Sequence, residues 1–213
     1  NPLTRARTPT GKVLEDDHSG QNKGPVGHLR AAIRRLGEPV IRTAVGRAMK
    51  EMGRQFVLGE TIEAAMTRAA GMESKGYTYS YDMLGEAART EGDAIRYHLA
   101  YSRAITAISA ACTHEDIRKN PGISVKLSAL HPRYEVAQRD EVMDVLMPRL
   151  RSLALLAKSA RMGLNIDAEE ADRLSLSLDV IEAALSEPAL KGWDGFGVVV
   201  QAYGQRANLV IHH

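Results

Sequence analysis

Four short stretches of this 213-residue chain alternate in polarity and end on a polar residue. They are Tyr77-Thr78-Tyr79-Ser80-Tyr81-Asp82, Gly122-Ile123-Ser124-Val125-Lys126, Gly163-Leu164-Asn165-Ile166-Asp167 and Gly197-Val198-Val199-Val200-Gln201. A period of two is the signature of a strand, with successive side chains on opposite faces. Ile123, Val125 and Leu127 therefore share one face, and Ser124 and Lys126 the other. Helical patterns separate the four stretches, at a spacing of roughly 35 to 45 residues, which predicts repeated βα units and a parallel sheet. Laid side by side, such strands bring Asp82, Lys126, Asp167 and Gln201 to one end of the sheet. A lysine on an inner face is costly without a partner or a task. Lys126 has two readings: its charge or amine serves a bound substrate or cofactor, or it forms a structural ion pair with Asp82 or Asp167.

Inner faces that mix polar residues with Val favour an α/β barrel of the (βα)8 TIM type with its site at the mouth. The rival, a doubly wound sheet, lacks its usual Gly-x-Gly-x-x-Gly run after any strand. A closed barrel needs about eight strands and about 250 residues. This chain is thus expected to hold an N-terminal helical arm and about four βα units, leaving open strand edges that seek partners. A homo-oligomer is the expected consequence. Residues 1–34 read as an arm, partly disordered and rich in Pro and Gly. Residues 35–76 read as a helical lead-in: one helix from Pro39, with proline in its first turn and Gly53 as its stop, and a second from Glu60 to Lys75. Residues 77–213 read as the first half of the barrel. Thr90 and Asp93 form a capping-box pair for the helix carrying Ile95, Leu99, Ile105 and Ile108. Pro148 falls inside the next helical pattern and is expected to kink it or to remove one of its backbone bonds.

Net charge and cysteine count narrow the function. A formal charge of +2 with scattered Lys and Arg gives no reason to expect nucleic acid as a partner. Cys112 is the single cysteine, which rules out an internal disulfide and a cysteine-based zinc site. The longest apolar run, Leu153 to Ala157, is far too short to span a bilayer. The first residues lack the basic-then-apolar pattern of a signal peptide, and the cytoplasm is the expected setting.

Among the other candidates, Asp167 opens the run Asp167-Ala168-Glu169-Glu170-Ala171-Asp172. Glu170 and Asp172 suit the electrostatics of a helix start, but Asp167 lies on the strand, where that role does not reach. Metal binding by Asp167 and Glu169 lacks a further ligand at suitable spacing, so no metal is expected. Glu86, where a loop meets a helix, reads by default as a solvated acid. Gln201 carries both donors and an acceptor, which suits the edge of a heterocycle or a patch of backbone. His131 and Arg133 are loop residues that lean towards the mouth, and Tyr79, Tyr81 and Trp193 are packing.

Four runs also carry a resemblance: Ser80 to Ala88, Gly122 to Tyr134, Asn165 to Leu174 and Val200 to Tyr203. In order and content they resemble the proline dehydrogenase domain of the bifunctional proline utilisation A flavoenzymes, over about residues 35 to 211. The resemblance implies a distorted (βα)8 barrel that binds FAD, oxidises L-proline to 1-pyrroline-5-carboxylate and passes electrons to membrane quinone. It implies a cytoplasmic enzyme with peripheral membrane association. By the same resemblance Lys126 matches an active-site lysine beside flavin and substrate, and Asp167 an active-site aspartate. Glu86 matches an acid that pairs with a substrate-binding arginine and helps gate the site. Gln201 matches a glutamine that hydrogen-bonds the flavin ring. The family's later strands and its last helix are not matched, so the chain is expected to be a truncated form that holds FAD weakly. Two other readings stand beside this one: an aldolase-like barrel in which Lys126 forms a Schiff base, and a non-catalytic half-barrel that serves as an interaction piece.

Overall fold

The computed structural model describes residues 25–213. The contact pattern divides the chain into residues 1–57 and residues 58–213. Residues 58–76 therefore belong with the barrel strands and not with the helix that precedes them. Most of the arm expected at residues 1–34 lies outside the described residues.

The first unit holds one helix, α1, Pro25–Gly53. It starts at Pro25, where a proline costs no helical bond, and not at Pro39 as expected from the sequence. Pro39 sits inside it and forfeits the bond its missing N–H would make. The Thr43 hydroxyl donates to the Pro39 carbonyl at 2.7 Å. Arg42 pairs with Glu38 one turn back at 2.8 Å, an exposed bond worth about 0.3–0.5 kcal/mol.

In the second unit α2 spans Ile62–Glu73, started by the Thr61 side chain accepting from the Ala64 N–H. Then strand and helix alternate: β1 Ser80–Asp82, α3 Glu91–Ser109, β2 Gly122–Val125, α4 Arg139–Ser159, β3 Leu164–Ile166, α5 Leu174–Leu185, β4 Phe196–Val198 and α6 Ala207–His212. The sheet is parallel throughout, in the order β1-β2-β3-β4. Sequential parallel order with a helix at each crossover is the build of a TIM-type barrel, and these units form an arc of it.

The capping box forms as expected. Thr90 accepts from the Asp93 N–H at 3.1 Å, and Asp93 accepts from the Thr90 N–H at 3.0 Å. The buried stripe of α3 is Ala94, Tyr101, Ala104, Ile105 and Ile108. Ile95 and Leu99, expected on that stripe, are 47% and 48% exposed, because the stripe turns one residue away from them. In α4, Val142, Leu146, Leu150, Leu153 and Ala157 follow the helical period into the core, with Pro148 on a different side. They meet Ile123, Val125, Leu164 and Ile166 from the strands. Arg149, next to Pro148, donates to the Leu130 carbonyl at 2.7 Å and pairs with Glu91, tying α4 to the start of α3.

The other sheet face is polar. Ser80 and Ser124 hydroxyls lie 3.1 Å apart, and the Asn165 amide donates to Ser80 at 3.2 Å. Gly197 completes this row. A Cβ there would fall 2.0 Å from the Asn165 side-chain oxygen, so only glycine leaves room for that amide.

Candidate active site

The strand C-termini carry the polar residues anticipated for them, with one correction of extent. β4 ends at Val198, with one more bond from the Val199 N–H to the Ile166 carbonyl at 2.9 Å, so Gln201 lies beyond the fourth strand and not at its last position. Lys126 follows β2 and leads into a tight helical turn at Leu127–Ala129, while Asp167 follows β3 and its N–H bonds the Val125 carbonyl at 3.0 Å.

Asp82, Lys126 and Asp167 meet. The Lys126 ammonium lies 2.5 Å from Asp82 Oδ1 and 2.9 Å from Asp167 Oδ2. Its side chain is 16% exposed, that of Asp167 19% and that of Asp82 53%. Burial pulls the lysine's pKa down, but hydrogen bonds to the two carboxylates more than offset it, and the net shift is upward. An ammonium has three donors, and the two carboxylates engage two of them. The Lys126 main-chain N–H donates to the Tyr101 hydroxyl at 3.2 Å. Tyr101 is fully buried, and burial pushes its phenol up to about 12. The structure shows the ion pair of the second reading, made with both aspartates and held at the sheet mouth.

Glu86 is exposed and, among the described residues, makes no ion pair. It stands between two residues of positive φ, Gly85 at +116° and Ala87 at +53°. At Gly85 a Cβ would also collide with the Tyr97 ring at 2.7 Å. The amide of Gln201 donates to the main-chain carbonyls of Glu169 at 3.2 Å and Ala168 at 3.4 Å. The loop after β3 thus sets its orientation. His131 is buried, its Nδ1 accepting from the Arg133 N–H at 3.1 Å, while the Arg133 side chain is exposed. His131 stabilises its own loop.

Ser128 was not singled out from the sequence, and Glu169 was weighed there only as a metal ligand beside Asp167. Ser128 accepts from the Ala87 N–H through its hydroxyl at 3.1 Å and from the Ala88 N–H through its carbonyl at 2.9 Å. Glu169 accepts from the Ser128 N–H at 3.0 Å. Burial raises the Glu169 carboxyl pKa, and the bonds from Ser128 only partly oppose that. The one available signal was that Ser128 lies two residues past Lys126.

A cavity of about 400 Å³ opens between the loop after β3, α5 and α6. Asp167, Glu169 and Gln201 border it together with Tyr134, Leu174 and Val198; Lys126, Asp82 and Glu86 do not. Among the described residues no three His, Cys, Asp or Glu side chains converge as metal ligands. The groups at the strand ends suit the edge of a polar heteroaromatic ring. They offer an ammonium with one N–H left over and, on Gln201, a side-chain amide of set orientation whose NH2 is engaged and whose carbonyl oxygen can accept.

Comparison with known proteins bears on this site. Residues 65–213 match the family model described as Proline dehydrogenase, and residues 2–56 match one described as DNA-binding domain of Proline dehydrogenase. The second match falls in a chain whose net charge gave no reason to expect nucleic acid as a partner. The chain is 55% identical over 205 residues to the Bifunctional protein PutA of Escherichia coli (strain K12), covering 96% of this chain and 15% of that protein. It is 56% identical over 211 residues to the Bifunctional protein PutA of Rhizobium meliloti, covering 99% of this chain and 17% of that protein. Among solved structures, a mutant of Bradyrhizobium japonicum Proline Utilization A superposes with a TM-score of 0.69 at 48% identity. That match covers 99% of this chain and 20% of the other. The chain thus spans less than a fifth of the length of these two curated relatives.

Proposed function

The chain belongs to the proline dehydrogenase family, and we propose that it supplies the first half of a strand-end site for FAD-dependent oxidation of L-proline to 1-pyrroline-5-carboxylate. The observation that carries this reading is the Asp82–Lys126–Asp167 cluster on adjacent parallel strand ends, which is where barrel enzymes do their chemistry. The chemistry FAD supplies when bound is acceptance of a hydride from a ring carbon of proline, with electrons then passing to membrane quinone. Lys126 and Gln201 are the residues of this chain that would hold the flavin ring edge, with Asp167 beside them. Lys126 keeps its proton and directs its remaining N–H at the bound ring or the substrate. Asp82 and Asp167 hold that ammonium in place and leave the cluster with one net negative charge. Glu86 faces solvent, where it can receive a substrate-binding arginine.

Because the reading ends at a membrane quinone, it carries peripheral membrane association of an intact cytoplasmic enzyme. No helix among the described residues is long and apolar enough to cross a membrane. It also carries self-association of the protein. The family matched at residues 2–56 supports a second role, nucleic-acid binding, for the segment that includes α1. A gel-shift titration at two salt concentrations tests that role.

The main reading is tested by proline-dependent reduction of a soluble quinone, using FAD-loaded protein that contains this segment. Lys126→Ala is expected to lower the rate by about a hundredfold, the scale of one lost electrostatic contact to the reacting centre. A folded, FAD-loaded protein with no proline-dependent reduction overturns the assignment. On the 213-residue chain itself, fluorescence quenching is expected to report weak FAD binding, since a large cofactor needs most of its surface enclosed. Tight stoichiometric binding would mean that these residues supply most of the site.

A further inference from the structure

The loops that follow all four strands are joined by one chain of hydrogen bonds, and Glu169 stands at its centre. Its carboxylate accepts the Ser128 N–H from the turn after β2 at 3.0 Å. Ser128 in turn holds the turn after β1, taking the Ala87 N–H on its hydroxyl and the Ala88 N–H on its carbonyl. On the other side, the Glu169 main-chain carbonyl accepts the Gln201 amide from the segment after β4 at 3.2 Å. Glu169 itself belongs to the segment between β3 and α5.

We propose that Glu169 is a positioning residue for the strand-end site: its carboxylate fixes Glu86 by way of Ser128, and holds in register with that turn the main-chain segment on which Gln201 rests. The inference rests on the proposed function for what Glu86 and Gln201 face, but its geometry is independent of that reading. Glu86 needs such a hold. It sits between Gly85 and a left-handed Ala87, a conformation that an alanine does not keep by its own preference. The two bonds from Ser128 fall on the residues immediately after Glu86, so they set where its carboxylate leaves the turn.

Placing an acid at this point has a cost that packing alone does not repay. Glu169 is largely removed from water, next to Glu170, whose charge opposes its own. The one nearby cation is Arg173, which also faces Glu170 at 3.5 Å. An apolar side chain would fill the same space without that desolvation. The carboxylate does what an apolar group cannot, which is to accept a main-chain N–H and hold two loops in register.

Residue-resolved amide exchange on the 213-residue chain tests the proposal. Glu169→Ala is expected to speed exchange at Ser128, Ala87 and Ala88 by about tenfold or more, the effect of losing a bond to a charged acceptor. Core amides at Ile105, Val125 and Leu150 should keep their rates. Glu169→Gln, whose amide oxygen still accepts, should restore protection at all three sites. Ser128→Ala should release Ala87 while leaving Ser128 protected. These last two variants carry the test if Glu169→Ala does not fold. Unchanged rates at the three sites, or equal acceleration everywhere, overturn the proposal, as does Glu169→Gln behaving like Glu169→Ala. In FAD-loaded protein, Glu169→Ala should also shift the flavin absorption band while Glu169→Gln leaves it in place. Failure of the wild-type protein to bind FAD strikes the proposed function and leaves the exchange result standing.

Discussion

Replacing Lys126 by methionine keeps the length of the side chain and removes its charge. What remains is Asp82 facing Asp167. Contacts of 2.5 Å and 2.9 Å to one ammonium put the two carboxylate oxygens within about 5 Å of each other. Two like charges at that separation repel by about 3 kcal/mol at an effective dielectric of about 20. Asp82 is 53% exposed, so water screens the pair and the retained penalty is roughly 1–2 kcal/mol. Its sign with pH follows from linkage. In the variant, repulsion raises the carboxylates' folded-state pKa. The destabilisation is therefore present at neutral pH and fades as pH falls through that raised value towards about 4. The wild-type lysine behaves in the opposite sense. Its folded pKa lies above the ordinary 10.5, so its contribution is complete below 10.5 and is lost only as pH rises through the folded value. Urea unfolding of both proteins at pH 7.5 and pH 4.5 reads the difference. Adding Asp82→Asn to Lys126→Met should recover most of the loss at pH 7.5. A variant as stable as wild type at pH 7.5, or a penalty that ignores pH, would show that the lysine is not balancing these carboxylates.

Gly197→Ala should cost about 1–3 kcal/mol in urea unfolding by driving the Asn165 amide off Ser80, and Asn165→Ala in the same chain should remove most of that added cost. Thr90→Ala dismantles the capping box of α3 and should cost about 1 kcal/mol, read as a lower thermal midpoint by circular dichroism. Glu169→Gln should be at least as stable as wild type at pH 7.5. Burial raises the wild-type carboxyl above 4.5, so the ionised acid is a cost that fades as pH falls through the folded value, and the variant's advantage should fade with it. Cyanoborohydride trapping with a keto acid at pH 7.5 should leave Lys126 unlabelled while exposed lysines such as Lys119 react. Preferential labelling of Lys126, read by peptide mass spectrometry, would revive the Schiff-base reading.

Alternation alone carried the central part of the site. A period of two with one face apolar leaves no choice of face for Ser80, Asp82, Ser124, Lys126, Asn165 and Asp167, and the structure joins them as two sets of three, Ser80 with Ser124 and Asn165, and Lys126 with Asp82 and Asp167. The capping box was legible for a similar reason, since Thr90 and Asp93 act on each other at a fixed offset. Other features were not legible. Val198-Val199-Val200 has strand composition throughout, yet β4 ends at Val198 with a last bond from the Val199 N–H to the Ile166 carbonyl, a decision of tertiary context that propensity does not encode. Pro39 reads as a helix start, but a proline also survives within a long helix, and α1 runs through it from Pro25. Ile95 and Leu99 look like core residues until the small Ala94 and Ala104 are seen to let α3 pack on the adjacent face. Ser128 and Glu169 were least visible. Their partners are main-chain N–H groups, which every residue but proline carries, so no pairing of side-chain types announces them.

The charge state of Lys126 separates the reaction classes that a strand-end lysine serves. Schiff-base chemistry needs the free amine, so such a site must make the neutral form accessible by burial or by a neighbouring cation. Burial is present here and acts in that direction. It is overcome because the neighbours at 2.5 Å and 2.9 Å are carboxylates, each of which binds the protonated form better than the neutral one. The same two neighbours restrict where the remaining N–H points, which a flexible four-carbon stem would not do unaided. A lysine that is charged, oriented and only 16% exposed is suited to recognising a group by hydrogen bond and field, and unsuited to attacking a carbonyl. That is the role the proposed oxidation would ask of it, with the bond-making left to a cofactor, position and electrostatics supplied by the protein, and the lysine itself chemically unchanged.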